Sequence, residues 1–205
     1  MIIELYGLPG TGKTSFAERL QKSSDFHIVK IKTKRELLIY NLLFLIKYPV
    51  KFVVTFFFLV VNSKNLTMFH YKFMNTFLHH NAKHEKARKF KNVIVDQGHF
   101  QNIISVFESK LDKSKLTKYI KFLPQPDKLI IFKTDPAIRK FRIDKRGYFT
   151  RENMSDERIQ EWQENTQSND ALFADVVKNA SIHHIFLRAD GNVDEVFSKL
   201  SKELT

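Results

Sequence analysis

One octapeptide constrains this chain more than any other feature. Gly7-Leu8-Pro9-Gly10-Thr11-Gly12-Lys13-Thr14 satisfies G-x-x-x-x-G-K-[ST] at every fixed position. The apolar run Ile2 to Tyr6 precedes it, and Phe16, Ala17 and Leu20 follow at helical spacing. The chain therefore leaves a strand, turns through glycines and enters a helix. In such a turn the glycines let backbone N–H groups point inward around phosphate oxygens, and the helix N-terminus adds partial positive charge. Lys13 can reach β- and γ-phosphates, and the Thr14 hydroxyl can ligate Mg²⁺. Glycine occurs only six times in 205 residues, and three of the six stand in this loop.

The rest of the chain supplies a matching frame. Asn92–Asp96 (NVIVD), Lys128–Lys133 (KLIIFK) and Ile182–Leu187 (IHHIFL) are short apolar runs of the kind found in buried parallel strands, and Phe26–Ile31 is a weaker candidate. Helical spacing connects them. Phe100, Ile103, Ile104, Phe107 and Leu111 recur on one face, as do Val193, Val196, Phe197 and Leu200 after an Asn192 to Glu195 capping pair. Strands alternating with helices predict a three-layer α/β fold around a parallel sheet, in a single domain over 1–205. Trp162 and Ile159 are expected in the core.

Residues 36–91 interrupt that rhythm with a helical insertion rich in Leu, Val and Phe. A span of a bilayer needs about 20 apolar residues in succession. Here Lys47, Pro49 and Lys51 cut the stretch into Leu37–Ile46 and Phe52–Ser63, so two buried or interfacial helices joined at Tyr48-Pro49 are expected. The formal charge is +12, and most of the excess lies between Phe26 and Phe100, with thirteen Lys and Arg against three Asp and Glu. Such a segment suits an anionic partner, and equally a solvated basic face. The chain has no cysteine, which excludes disulfides and thiolate metal sites. No signal-peptide pattern precedes the first strand, so a cytoplasmic location is expected. His80 and His84 have the spacing of a helical zinc pair, but neither the H-E-x-x-H glutamate nor a third ligand accompanies them.

Two further groups point to chemistry. Asp96 ends the third strand, where a carboxylate can hold Mg²⁺ together with Thr14, or act as base toward an acceptor hydroxyl. The next residue is Gln97, not a second acid, which disfavours a water-activating motor. Asp135-Pro136 caps a helix that carries Arg139, Arg142 and Arg146 on one face, with Ala137, Ile138 and Phe141 free to pack on the other. Gly147 breaks that helix and Arg151-Glu152 follow. Arginines gathered beside a glycine suit a lid over transferring phosphates, placed at about 139–152. Asp190-Gly191 is either a turn beside an adenine ring or a plain strand-to-helix turn.

GLPGTGKT at 7–14, VIVDQG at 93–98 and DPAIRKFRIDKRGYFTRE at 135–152 together resemble the P-loop kinases of the nucleoside and nucleotide monophosphate kinase group, of thymidylate-kinase and deoxynucleoside-kinase type. The third stretch is similar to that group's R-x-x-x-R lid, here Arg142 and Arg146. The resemblance covers the two ends of the chain. It implies a P-loop NTPase fold and Mg-dependent phosphoryl transfer from ATP to a small, anionic acceptor such as a nucleoside or nucleotide. Gly7, Leu8, Pro9, Gly10, Thr11, Gly12, Lys13, Thr14 and Arg139 would bind ATP, and Thr14 and Asp96 would bind Mg. Lys13, Asp96, Arg142 and Arg146 would be catalytic. In that group an acceptor-gripping arginine follows the third-strand acid, whereas Gln97-Gly98-His99 stands here. The alternative is a regulatory P-loop ATPase whose basic, apolar middle docks on a membrane surface or a polyanion. Nucleic acid is not expected as a partner, and a peripheral membrane contact and a homodimer both stay open.

Overall fold

The computed structural model of the protein describes residues 1–147, 155–192 and 194–198. Among them the sheet has five parallel strands: β1 (Ile2–Tyr6), β2 (His27–Ile28), β3 (Val93–Val95), β4 (Lys128–Lys133) and β5 (His184–Arg188), in the order β2-β3-β1-β4-β5. β1 lies centrally, pairing Ile3 with Ile94 on one side and Leu5 with Ile130 on the other. Strand alternation divides the core into two layers. Ile3, Leu5, Ile130 and Phe132 meet Phe16, Ala17 and Leu20 of helix α1 (Lys13–Ser23). Tyr6, Leu129 and Ile131 face the other way, into the larger layer. That layer contains α6 (Asn102–Ser105), α7 (Lys113–Phe122) and α9 (Asp156–Lys178). The expected three-layer arrangement is thus the observed one.

Two helical expectations change. The pattern from Phe100 to Leu111 forms only a 3₁₀ turn (His99–Gln101) and α6, after which Phe107 and Leu111 are buried from an irregular segment. Asn169 on α9 fixes that segment, accepting from Leu111 N–H at 2.8 Å and donating to Ser109 O at 3.0 Å. The second change is at Trp162 and Ile159, which are half-buried on α9 outside the core clusters. Asn192 Oδ1 accepts from Glu195 N–H and caps a short helix over 194–198, where Val196 is buried. Val193 and Leu200 lie outside the described residues.

The insertion consists of α2 (Lys34–Lys47), α3 (Pro49–Val61), α4 (Leu66–Lys72), a π-helical stretch (Phe73–Leu78) and α5 (His79–Ala87). Tyr48 leaves the helical region because a proline follows it, and α2 and α3 meet there at 114°. Among the described residues no single helix is long and apolar enough to cross a membrane. Many of the phenylalanines pack with one another here. Phe56 meets Phe69, Phe73 and Phe77, and Phe58 meets Phe107 and Tyr119, with centroids 5.0–6.1 Å apart. Each such pair contributes roughly 0.5–1.5 kcal/mol beyond its buried area.

α2 packs on α5 through polar anchors. Asn41 Nδ2 donates to Leu78 O at 2.8 Å, Lys47 pairs with buried Glu85 at 2.6 Å, and Lys86 pairs with Glu36 at 2.8 Å. Between the helices His84 and His99 surround Phe44, and His99 stacks on its ring at 5.5 Å. Burial, and then the nearby Arg88, Lys51 and Lys47, lower the His84 pKa from 6.5 to about 4. The fold refuses a proton that the unfolded chain takes up below about pH 6.5, so stability falls as pH drops from 6.5 toward 4. We expect His84→Phe to lose less stability between pH 7 and pH 5 than the parent, by about 1–2 kcal/mol. Urea titrations at both pH values measure this, and equal losses in the two proteins would contradict it.

Candidate active site

At the carboxyl end of β1 the loop wraps around its own lysine. Lys13 Nζ donates to Gly7 O at 2.6 Å and Leu8 O at 3.0 Å, and lies 3.4 Å from Thr11 Oγ1. Thr11 Oγ1 in turn donates to Leu8 O at 2.8 Å. Gly10 has φ +81°, and a Cβ there would stand 2.8 Å from Arg139 O, so only glycine lets the helix over Pro136–Arg146 approach the loop tip. Lys13 is buried, which lowers its pKa from 10.5 to about 8. Asp96 and Asp170 oppose that shift, whereas Arg139 and Arg146 add to it. An ammonium in this state is poised for anionic oxygens, which would favour its charged form.

Asp96 sits directly beside the loop. Thr14 Oγ1 donates to its Oδ2 at 3.0 Å, and its Oδ1 is buried with no hydrogen-bond partner among the described residues. A hydroxyl and a carboxylate with a spare oxygen form a hard donor set, which fits Mg²⁺. The turn after Asp96 is held from below by Glu4 of β1, whose Oε1 accepts from Phe100 N–H at 2.6 Å. A Cβ on Gly98 would overlap that carboxylate, so this glycine is required for close approach. Burial raises the Glu4 pKa from 4.5 to about 8, and backbone N–H groups of Phe100, His99 and Gln101 limit the rise. Gln101 completes the connection: its Nε2 donates to Gly7 O at 3.1 Å.

One cation here has no forerunner in the sequence reading. Lys83 on α5 donates to Gln97 O at 3.1 Å, and the Asp96 and Glu4 charges partly offset the lowering of its pKa by burial. It stands beside the turn where no arginine follows Asp96. Lys83 and Asp96 are joined only by the packing of α5 on β3, which no local pattern announces.

On the other side of the loop lies α8 (Pro136–Arg146), capped as expected by Asp135 Oδ1, which accepts from Ala137 N–H at 2.8 Å. The structure brings the arginines to the loop with different partners. Arg139 Nε donates to Pro9 O at 3.1 Å, while Arg142 donates to Ala189 O at 2.9 Å and Gly191 O at 3.0 Å. Arg146 is exposed, yet close enough to Lys13 to affect its titration. Asp190 accepts from Asp135 N–H at 2.7 Å, which ties the turn after β5 to the same helix. Ala137, Ile138 and Phe141 do not form a packed face. Phe141 is exposed, and Ile143 instead meets Gly10. A cavity of about 410 Å³ opens between the loop, α8 and α9, lined by Pro9, Arg139, Ile143, Ile159, Trp162 and Thr166. Arg151 and Glu152 lie outside the described residues.

No protein-family profile and no curated protein matches the chain. Solved structures do. Deoxyadenosine kinase from M. mycoides with bound dATP aligns with a TM-score of 0.58 at 14% identity, covering 100% of this chain and 99% of that one. Thymidylate kinase from Candida albicans aligns at 0.52 and 16%, covering 99% and 90%. The YorR protein from Bacillus subtilis, in complex with phosphorylated GDP, aligns at 0.51 and 17%, covering 100% and 95%. Two of these neighbours are a nucleoside kinase and a nucleotide kinase by name, and the described residues of this chain share their fold.

A phosphate-bound Lys13 holds its proton more tightly than the pKa of about 8 in the free loop. Binding above that pH must therefore take up a proton. We expect affinity for a phosphate-bearing ligand to change by no more than about twofold from pH 7 to 8 and to fall by up to about tenfold per unit above it. Calorimetry in two buffers of different ionisation enthalpy measures the uptake, and no proton uptake at pH 9 would contradict this reading.

Proposed function

We propose that this protein, built on the fold of the P-loop nucleoside and nucleotide kinases, is a phosphotransferase. It moves the terminal phosphoryl group of ATP, with Mg²⁺, to a small acceptor of the nucleoside or nucleotide class. The observation that carries the reading is the Thr14–Asp96 pair, with one carboxylate oxygen spare, beside a loop faced by three arginines. We take the chain as one domain with its insertion at about 36–91 and its lid at about 139–152.

Each residue has a defined task. Gly7 to Thr14 hold the triphosphate through backbone N–H groups and the start of α1. Lys13 leaves the carbonyls of Gly7 and Leu8 for the β- and γ-phosphate oxygens, exchanging dipoles for charges. Thr14 and Asp96 would hold the metal, which draws charge from the phosphate oxygens during transfer. Arg142 and Arg146 face the transferring group, and Arg139 orders the loop tip through Pro9. The acceptor oxygen forms its bond to the γ-phosphorus as the bond to the β-phosphate oxygen breaks. Lys83 supplies positive charge on the acceptor side, which favours an anionic acceptor. Catalysis of this kind is largely positioning and electrostatics.

The test is ADP release with Mg-ATP against a panel of nucleosides, nucleotides and phosphorylated sugars. We expect acceptor-stimulated release with at least one nucleoside or nucleotide, and its loss in Lys13→Ala. Release unaffected by every acceptor would leave an ATPase and overturn the proposal. Arg146→Ala should lower kcat by at least about tenfold with less than a tenfold change in ATP affinity, because its contact forms during transfer. Arg142→Ala should weaken both, since that guanidinium also holds Ala189 O and Gly191 O. Lys83→Gln should raise the acceptor KM by about tenfold and leave ATP affinity in place. Steady-state kinetics beside direct nucleotide titration separates these cases.

A further inference from the structure

Much of the insertion's apolar surface faces away from the protein. α2 carries Leu38, Leu42 and Ile46 along one stripe at i, i+4 and i+8, and α3 carries Val50, Val53 and Phe57 at i, i+3 and i+7. These six side chains range from 55% exposed at Leu42 to 72% at Leu38. The packed faces of the same helices are elsewhere, at Tyr40, Asn41 and Phe44 on α2 and at Thr55 and Leu59 on α3. Folding of the chain therefore does not account for the stripes, which approach the 114° elbow from both sides. Exposed apolar stripes on two successive helices mark an interaction.

The surrounding charges select the occupant. Lys34 and Arg35 open α2 and Lys64 follows α3, all three exposed, whereas at the elbow Lys47 is paired with Glu85 and Lys51 donates to Leu123 O at 3.2 Å. Between Phe26 and Phe100 there are three acids, and each is engaged within the chain. Glu36 pairs with Lys86, Glu85 with Lys47, and Asp96 accepts from Thr14. A two-fold contact between copies sets a patch against itself. Here it would bring the exposed Lys34, Arg35 and Lys64 of two copies together with no acid of the segment left to pair with them. An anionic lipid surface complements both features, accepting apolar side chains at the headgroup boundary and cations at the phosphates.

We infer that the α2–α3 elbow is an interfacial anchor that seats this protein on an anionic membrane surface without crossing it. The inference stands apart from the phosphotransfer reading and involves none of the residues assigned to it. The test uses the full chain, sedimented with vesicles of phosphatidylcholine alone or with about 30 mol% phosphatidylglycerol. We expect binding to the anionic vesicles at least about tenfold stronger than to the neutral ones, weakened by added salt. The triple variant Ile46→Glu, Val53→Glu, Phe57→Glu should lose about tenfold or more of that binding while keeping the parent's circular dichroism. Should the triple variant fail to fold, Phe57→Trp serves instead, and its emission should shift to the blue with anionic vesicles beyond any shift of the parent's Trp162. No binding, binding indifferent to lipid charge, or no such added shift in the Phe57→Trp variant overturns the proposal. So does a dimer in sedimentation velocity that the triple variant dissociates, since the face would then belong to a second copy.

Discussion

A buried acid in the central strand organises the site around it. Glu4 lies in β1, on the same side of the sheet as Tyr6, and accepts N–H groups from the start of the turn after β3. A buried carboxyl group is costly unless it is hydrogen-bonded, and this one meets its cost by capping that turn. The consequences radiate from it. Gly98 must lack a Cβ to lie over the carboxylate. Gln101, one turn on, then reaches Gly7 and fixes the start of the glycine loop. His99 is delivered to Asn81 at 2.9 Å, and Asn102 to His80 at 2.6 Å, so the insertion is anchored to the same turn. The glycine loop, the third strand and the insertion thus share one point of attachment below the site.

Above the sheet the dominant constraint is positive charge. Arg139 and Arg146 act on the charge of Lys13, opposed by Asp96 and Asp170, and Arg142 lies beside Gly12 of the same loop. Within the protein these cations are held by dipoles more than by ions. Lys13 uses the carbonyls of Gly7 and Leu8, Arg139 that of Pro9, and Arg142 those of Ala189 and Gly191. Neutral acceptors bind a cation more weakly than charged ones do. Under the proposed function, a polyanion would take these donors from the protein at modest cost, and the donors that hold the free loop in shape would then hold the ligand.

Much of this frame was legible in the sequence because it is local. The octapeptide, the strand before it and the helix after it lie within 22 residues, and KLIIFK spans the observed β4 residue for residue. The Asp135 cap and the arginine spacing on α8 are likewise written within one helix. What escaped depends on distant partners. The run from Phe100 to Leu111 has helical spacing, but Asn169 supplies side-chain partners to the backbone at Ser109 and Leu111, and the helix stops at Ser105. Phe141 reads as the inner face of α8, yet the loop tip needs Arg139 and Ile143 on that side. Lys83 resembles any helix lysine until α5 is docked on β3. Trp162 reads as core because tryptophan usually is, and it instead lines the cavity beside the loop.

The insertion shows how one composition can serve two surfaces. Its apolar content, summed along the sequence, approaches that of a membrane span, and a proline divides it. Folded, the two halves diverge by 114°, and each helix turns one stripe inward and one outward. The inward stripe of α2 brings Phe44 to His99 and packs on α5, whose own contact with β3 sets Lys83 beside Asp96. The outward stripes remain exposed within a basic surround. Loss of the inward stripe would disturb the site through His99 and Lys83, whereas loss of the outward stripe leaves every contact of the site intact. The two roles are therefore separable by substitution, although they occupy the same two helices and neither is visible in their hydropathy alone.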